Sequence, residues 1–193
     1  MKLRHRSLPI RYAVSMAVLV LVAEGLSAAE PPQTPNPPSL AATIAAMPKN
    51  LPRAAGPGLS EAIDAARAAQ QACTERGAKV SVLIADTAGG PVVLLSGDGA
   101  GVRSQLIART KVNIVARFGM ASGDVAGKAR TDPALTAQAE ADPDIGMLRA
   151  GGFPVLRQGR MIGIVAVSGG SLGGDMGLDE LCARVAVARL EQD

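Results

Sequence analysis

The sequence predicts an α/β (α+β) domain in which helices pack against an antiparallel sheet. Two pairs of short apolar runs, each pair joined by a glycine-bearing turn, give the sheet: "AKVSVLIAD" with "PVVLLSG", and "GGFPVL" with "RMIGIVAVSGG". Amphipathic stretches of helical period stand before, between and after them. Strands joined as hairpins run antiparallel, and a helix with one apolar stripe buries it against another layer.

The chain of 193 residues starts outside that domain. Lys2, Arg4, Arg6 and Arg11 form a basic start, residues 13–23 are apolar, and Ser27 and Ala29 fit a small-x-small cleavage site. This three-part pattern predicts a secretory signal peptide over residues 1–29. The apolar run is shorter than the ~20 residues a spanning helix needs. The expectation is a periplasmic or secreted protein with no stable membrane span after cleavage. No cysteine stands at the cleavage site, which argues against a lipoprotein.

Export also accounts for the charge. The formal net charge is +3, from 20 basic and 17 acidic residues. Removing Lys2, Arg4, Arg6, Arg11 and Glu24 leaves the two signs balanced. Phe118 and Phe153 are then the remaining aromatic residues. Without a basic footprint or a stacking platform, no nucleic-acid partner is expected.

Residues 30–58 read as a proline-rich linker, since eight of the 13 prolines fall between Pro31 and Pro57. Proline fixes φ and lacks a donor, so only a helical turn or two, around Ala41 to Met47, fits there. The domain is expected over residues 59–193. Ser60 caps a helix running to about Arg76, with Leu59, Ile63, Ala66 and Cys73 on its period and Gly77 as its stop. The first hairpin follows, turning at "TAGG". A helix from Ser104 to Phe118 carries Leu106, Ile107, Thr110, Ile114 and Phe118 at three- and four-residue steps. Residues 119–148 are weakly patterned, with room for two short helices. The second hairpin turns at Gln158-Gly159, and the last helix spans Leu178 to Leu190 with Leu181, Cys182 and Val185 on one face.

Three stretches resemble the GlcG/HbpS family, the haem-degrading or PduO C-terminal-like domains. They are "KVSVLIADTAGGPVVLLSGDGAGVRSQLIARTKVNIVARFG", "GGFPVLRQGRMIGIVAVSGG" and "DMGLDELCARVAVARL". The resemblance covers about Leu59 to Leu190. It implies a profilin-like domain, homo-oligomers, and binding of haem or a related tetrapyrrole in some members. It also places the rim made by Gly151-Gly152 and Gly169-Gly170 beside a ligand cleft. The candidate ligand-binding residues are Lys111, Arg130, Gly151, Gly152, Phe153, Pro154, Ser168 and Gly169.

The residues qualify that implication. His5 is the one histidine and Tyr12 the one tyrosine, and both fall within residues 1–29. Haem iron is held by His, Met, Cys or Tyr. This leaves Met and Cys, with Met120, Met147, Met161 and Met176 near loops or the hairpin and Lys111 as a weaker donor, and no metal site is assigned. Arg130 or Arg157 suits a propionate. Ser168 lacks both the first glycine of a nucleophile elbow and a histidine base. "SGGSLGGD" lacks the Lys-Ser/Thr of a phosphate loop, and Asp175, Asp179 and Glu180 oppose an anion there. Three readings stay open: a small-ligand-binding protein, an enzyme using Lys111 with a carboxylate, and an accessory subunit without a ligand. Cys73 and Cys182 form a disulfide if the first and last helices of the domain lie antiparallel on one face; nothing in the sequence fixes those directions.

Overall fold

The structure, a computed structural model, describes residues 39–50, 52–170 and 177–192. Residues 1–29, Asp175 and Met176 lie outside the described residues. The chain divides into two units, Met1–Met47 and Pro48–Asp193. In the first, α1 (Leu40–Ala46) starts at Ser39, whose side chain accepts from the Ala42 amide at 3.2 Å.

The second unit holds α2 (Leu59–Thr74), β1 (Ser81–Ala85), β2 (Pro91–Ser96), α3 (Val102–Phe118), α4 (Ser122–Ala129), α5 (Pro133–Ala141), β3 (Gly152–Arg157), β4 (Arg160–Ser168) and α6 (Leu178–Glu191). The sheet order is β2-β1-β4-β3, with every neighbouring pair antiparallel. The expected architecture is therefore the observed one. Among the described residues, no helix is long and apolar enough to cross a membrane.

Alternation along the two central strands builds a core on each face of the sheet. Val82, Ile84, Val165 and Val167 point toward α2 and α6. Leu83, Ala85, Ile164 and Ala166 point toward α3. The registers Val82↔Val167 and Leu83↔Ala166 keep each set on its own side. A third cluster, around Ile114, Val125, Ala139 and Ile145, ties α4 and α5 to the far end of α3.

The helix faces agree with the expected ones at Ala66, Cys73, Ile114 and Cys182, which are buried, and differ at three leucines. Leu59, Leu106 and Leu181 are exposed. Alanines fill the α2–α6 contact instead: Ala62, Ala65, Ala66 and Ala69 meet Ala183 and Ala186. Small side chains let the two helices approach closely, which the larger residues would prevent. The N-cap of α2 is Gly58, not Ser60, and the Glu61 carboxylate accepts from the Gly58 amide at 3.2 Å. Similarly, α3 begins before Ser104, which is buried and hydrogen-bonds Ser81 at 2.7 Å. The linker also ends earlier than residue 58. Arg53 pairs with Asp86 at 3.4 Å, the Ala55 carbonyl accepts from Thr87, and a Cβ on Gly163 would meet Pro57 at 2.8 Å. Residues 53–57 thus lie on the domain.

The Sγ atoms of Cys73 and Cys182 are bonded at 2.08 Å, with Cα atoms 5.7 Å apart. The C-terminal end of α2 therefore meets the N-terminal end of α6. At the second hairpin, Gln158 (φ 52°) and Gly159 (φ 75°) both have positive φ, as a type I′ turn requires.

Candidate functional site: a cleft above a buried lysine–aspartate pair

Lys111 lies on the buried face of α3, one turn from Ala108 and from Val115. Its side chain is 1% exposed. Nζ donates to the Val167 carbonyl at 2.6 Å and to Asp179 Oδ2 at 2.8 Å. Asp179, in the first turn of α6, accepts on Oδ1 from the Gly170 amide at 2.8 Å. One ion pair thus joins α3, the end of β4 and the start of α6. Burial pushes the Lys111 ammonium below its ordinary value, and Arg149 adds to the effect. The charge and hydrogen bond of Asp179, helped by Glu180, offset only part of it.

The glycine pairs are what let this pair close. Gly151 has φ 112°, and a Cβ there would come within 2.8 Å of both Lys111 Nζ and Asp179 Cβ. Gly169 has φ 121°, and its Cβ would sit 2.5 Å from the Lys79 carbonyl oxygen. Gly152 presses against the Lys111 backbone and donates to Ser122 Oγ at 2.9 Å. Gly151 and Gly152 are contacts behind the pair, and Gly169 packs against the backbone of Lys79 and Val80. The rim expected from the sequence is therefore a packing seam at Gly151 and Gly152, and only Gly169 of these three lines the cleft.

That cleft, of about 680 Å³, opens over the pair. Its volume falls in the usual range for small-molecule sites. The N-terminal half of α3, α4, residues 147–150, the end of β4 and the start of α6 surround it. Of the residues named from the sequence, Lys111, Arg130, Ser168 and Gly169 line it. Phe153 and Pro154 do not. Phe153 belongs to the core under α2 and α6, with Arg184 4.5 Å over its ring. Pro154 pairs with Ile164 in the hairpin. Arg157 is also elsewhere, donating from Nη2 to the Leu190 carbonyl at 2.8 Å near the end of α6. Strand alternation separates these neighbours in sequence.

Arg103, Arg149 and the partnership of Lys111 with Asp179 were not expected. One signal was available for the last: Lys111 shares the helical register of Ala108 and Val115, so a charge falls on an apolar face and needs a partner. The arginines carry no such signal, because exposed arginine is ordinary on helices and loops.

Ile107, Ala126 and Leu148 line the cleft together with Arg103, Arg130 and Arg149, with Asp124 and Glu180 as the carboxylates beyond the ion pair. Met147 is the thioether of the cleft among the described residues, and its sulfur accepts from Arg149 Nε at 2.6 Å. Met120 accepts from Lys128 at 3.1 Å, and Met161 packs on the α3 side of the sheet. The apolar walls and arginines fit an amphipathic dicarboxylate. The donor set does not fit an iron: the cleft's thioether is already engaged, and histidine occurs only at position 5. Among the described residues, no group of three or more His, Cys, Asp and Glu could hold a metal ion.

Fold and cleft define an antiparallel α/β domain with a small-molecule-sized opening at the junction of α3, β4 and α6. Residues 58–188 match the family model described as haem degrading protein HbpS-like. The chain belongs to that family. It is 31% identical to a crystal structure of HbpS, with a TM-score of 0.63, covering 76% of this chain and 99% of that one. A double mutant of Streptomyces reticuli HbpS gives 31% identity, a TM-score of 0.62, and coverage of 76% and 95%. The PduOC:heme complex shares the fold at 21% identity, with a TM-score of 0.61, covering 71% of this chain and 99% of that one. No curated protein matches.

Proposed function

We propose that this chain is an exported small-ligand-binding protein whose cleft takes haem or another tetrapyrrole without histidine ligation, and that it works as a homo-oligomer. The observation that carries the reading is the cleft's composition, in which apolar side chains and Arg103, Arg130 and Arg149 share one lining. A tetrapyrrole offers a flat apolar face and carboxylates, which match the two kinds of side chain in that lining. The HbpS-like family and the haem complex formed by PduOC support the ligand class. Export is supported by the pattern of residues 1–29 and by the Cys73–Cys182 bridge, since disulfides persist in oxidising compartments.

A Soret-band titration of protein recovered from an exporting host tests the reading. The expected result is saturable, weak binding with a spectrum that lacks histidine ligation. A bis-histidine spectrum, or no saturable binding at all, would refute it.

A further inference from the structure

Resting on that reading, we infer that the cleft recognises the macrocycle face and carboxylates of its ligand and is indifferent to the central metal. The cations and the soft donor of the cleft are arranged for this. Met147 is the one thioether among the described lining residues, and the Arg149 guanidinium occupies its sulfur at 2.6 Å. That guanidinium takes one of the sulfur's two lone pairs and sets a positive charge beside it, which disfavours a metal cation at the same atom. Lys111 is no substitute, because Nζ is directed to Val167 O and Asp179 and its side chain is 1% exposed. A lone pair would reach iron only if the ammonium lost its proton and left both partners.

The cleft is better supplied for carboxylates. Arg103 and Arg130 are exposed at their ends of α3 and α4 and face the same opening as Arg149. A guanidinium holds a carboxylate through two parallel N–H donors, and three of them are enough for a dicarboxylate. Asp124 and Glu180 also face the cleft and set a limit on how much negative charge it accepts. The Asp179 charge is met by Lys111 and does not add to that limit. The ligand class is therefore an apolar macrocycle with two carboxylates, metallated or not.

The experiment is a set of parallel titrations on the purified protein with ferric haem, metal-free protoporphyrin and the dimethyl ester of metal-free protoporphyrin. Absorbance follows the first and fluorescence the other two. The expected result is that haem and the metal-free acid bind within about threefold of each other. The ester should bind at least about tenfold more weakly, the scale of one lost charge-assisted hydrogen bond. The variant pair R103Q and R130Q should weaken haem and the metal-free acid by similar factors. Haem binding more than about tenfold tighter than the metal-free acid would overturn the inference and leave the tetrapyrrole reading intact. Equal binding of acid and ester, or no effect of the arginine variants, would also overturn it. Binding of neither porphyrin would overturn the inference and the reading together.

Discussion

Lys111 is the side chain on which the cleft floor depends. Its charge is buried, and its pairing with Asp179 fixes where β4 ends and α6 begins. Lys111→Met leaves a buried carboxylate without its main counter-charge, which costs about 3–5 kcal/mol. Adding Asp179→Asn keeps an acceptor for the Gly170 amide and removes the buried negative charge, so most of that stability should return. Urea unfolding of the two variants checks both outcomes; a double variant no more stable than K111M would count against the pair. The pH dependence has a definite sign. Burial lowers the folded-state value of Lys111 below 10.5, so between the two values the unfolded chain binds more protons at this position. The full cost of burying the ammonium is present below the lowered value and is relieved as pH rises toward 10.5. The stability of the natural chain, measured against the K111M/D179N variant, should therefore rise through that window. A falling difference would contradict the dominance of burial. At this scale the sequence was half legible. The glycine pairs marked a close backbone approach, but what approached them lay 68 positions apart in Lys111 and Asp179.

The two helices that carry the cysteines meet through alanine, and the bridge closes that contact. Cys73 and Cys182 are separated by 109 positions, a loop for which the chain-entropy estimate is about 4.7 kcal/mol, often less in practice. Both cysteines are buried beside alanines, so C73A with C182A leaves little void and isolates the cross-link. That variant should lose roughly 2–5 kcal/mol in urea unfolding under non-reducing conditions. Thiol titration of the unfolded, unreduced natural protein should find no free thiol, and finding two would remove the basis for the comparison. Element positions were legible because breakers mark them. Gly77 (φ 74°) ends the turn after α2 and Gln158-Gly159 turn the second hairpin with positive φ, whereas α5, capped by Asp132 ahead of Pro133, fell in the weakly patterned stretch. Helix orientation was not legible from the large apolar residues. In α2 the buried stripe is alanine up to Cys73, and in α6 Ala183 and Ala186 share it with Leu178, Cys182 and Leu190; alanine carries little weight in a hydrophobic pattern, while Leu59 and Leu181 point outward. Helix–helix distance, a tertiary quantity, decided which face went in.

Assembly belongs to the molecule as a whole, and the two edges of the sheet differ in readiness for it. The β3 edge is closed residue by residue. The Gly152 amide donates to Ser122, Pro154 has no amide hydrogen, and the Leu156 amide donates to Glu191 at 2.9 Å. Alternate residues of an edge strand point their amides outward, so these three account for the donors along that side. On the β2 edge the Arg53 guanidinium covers the first residue, donating to the Pro91 carbonyl at 3.0 Å, and farther along the strand Leu94 stands 48% exposed. An open edge with an apolar side chain is a template for another strand. The proposed homo-oligomer should therefore form through β2, and light scattering at micromolar concentration should give at least twice the monomer mass. Leu94→Lys places a charge on the open edge and should shift the mass toward the monomer. Leu156→Lys is the matched control, at a residue 44% exposed on the closed edge, and should leave the mass unchanged. A monomer mass for the natural chain would refute assembly. Loss of the oligomer in L156K but not L94K would move the interface to the opposite side of the sheet.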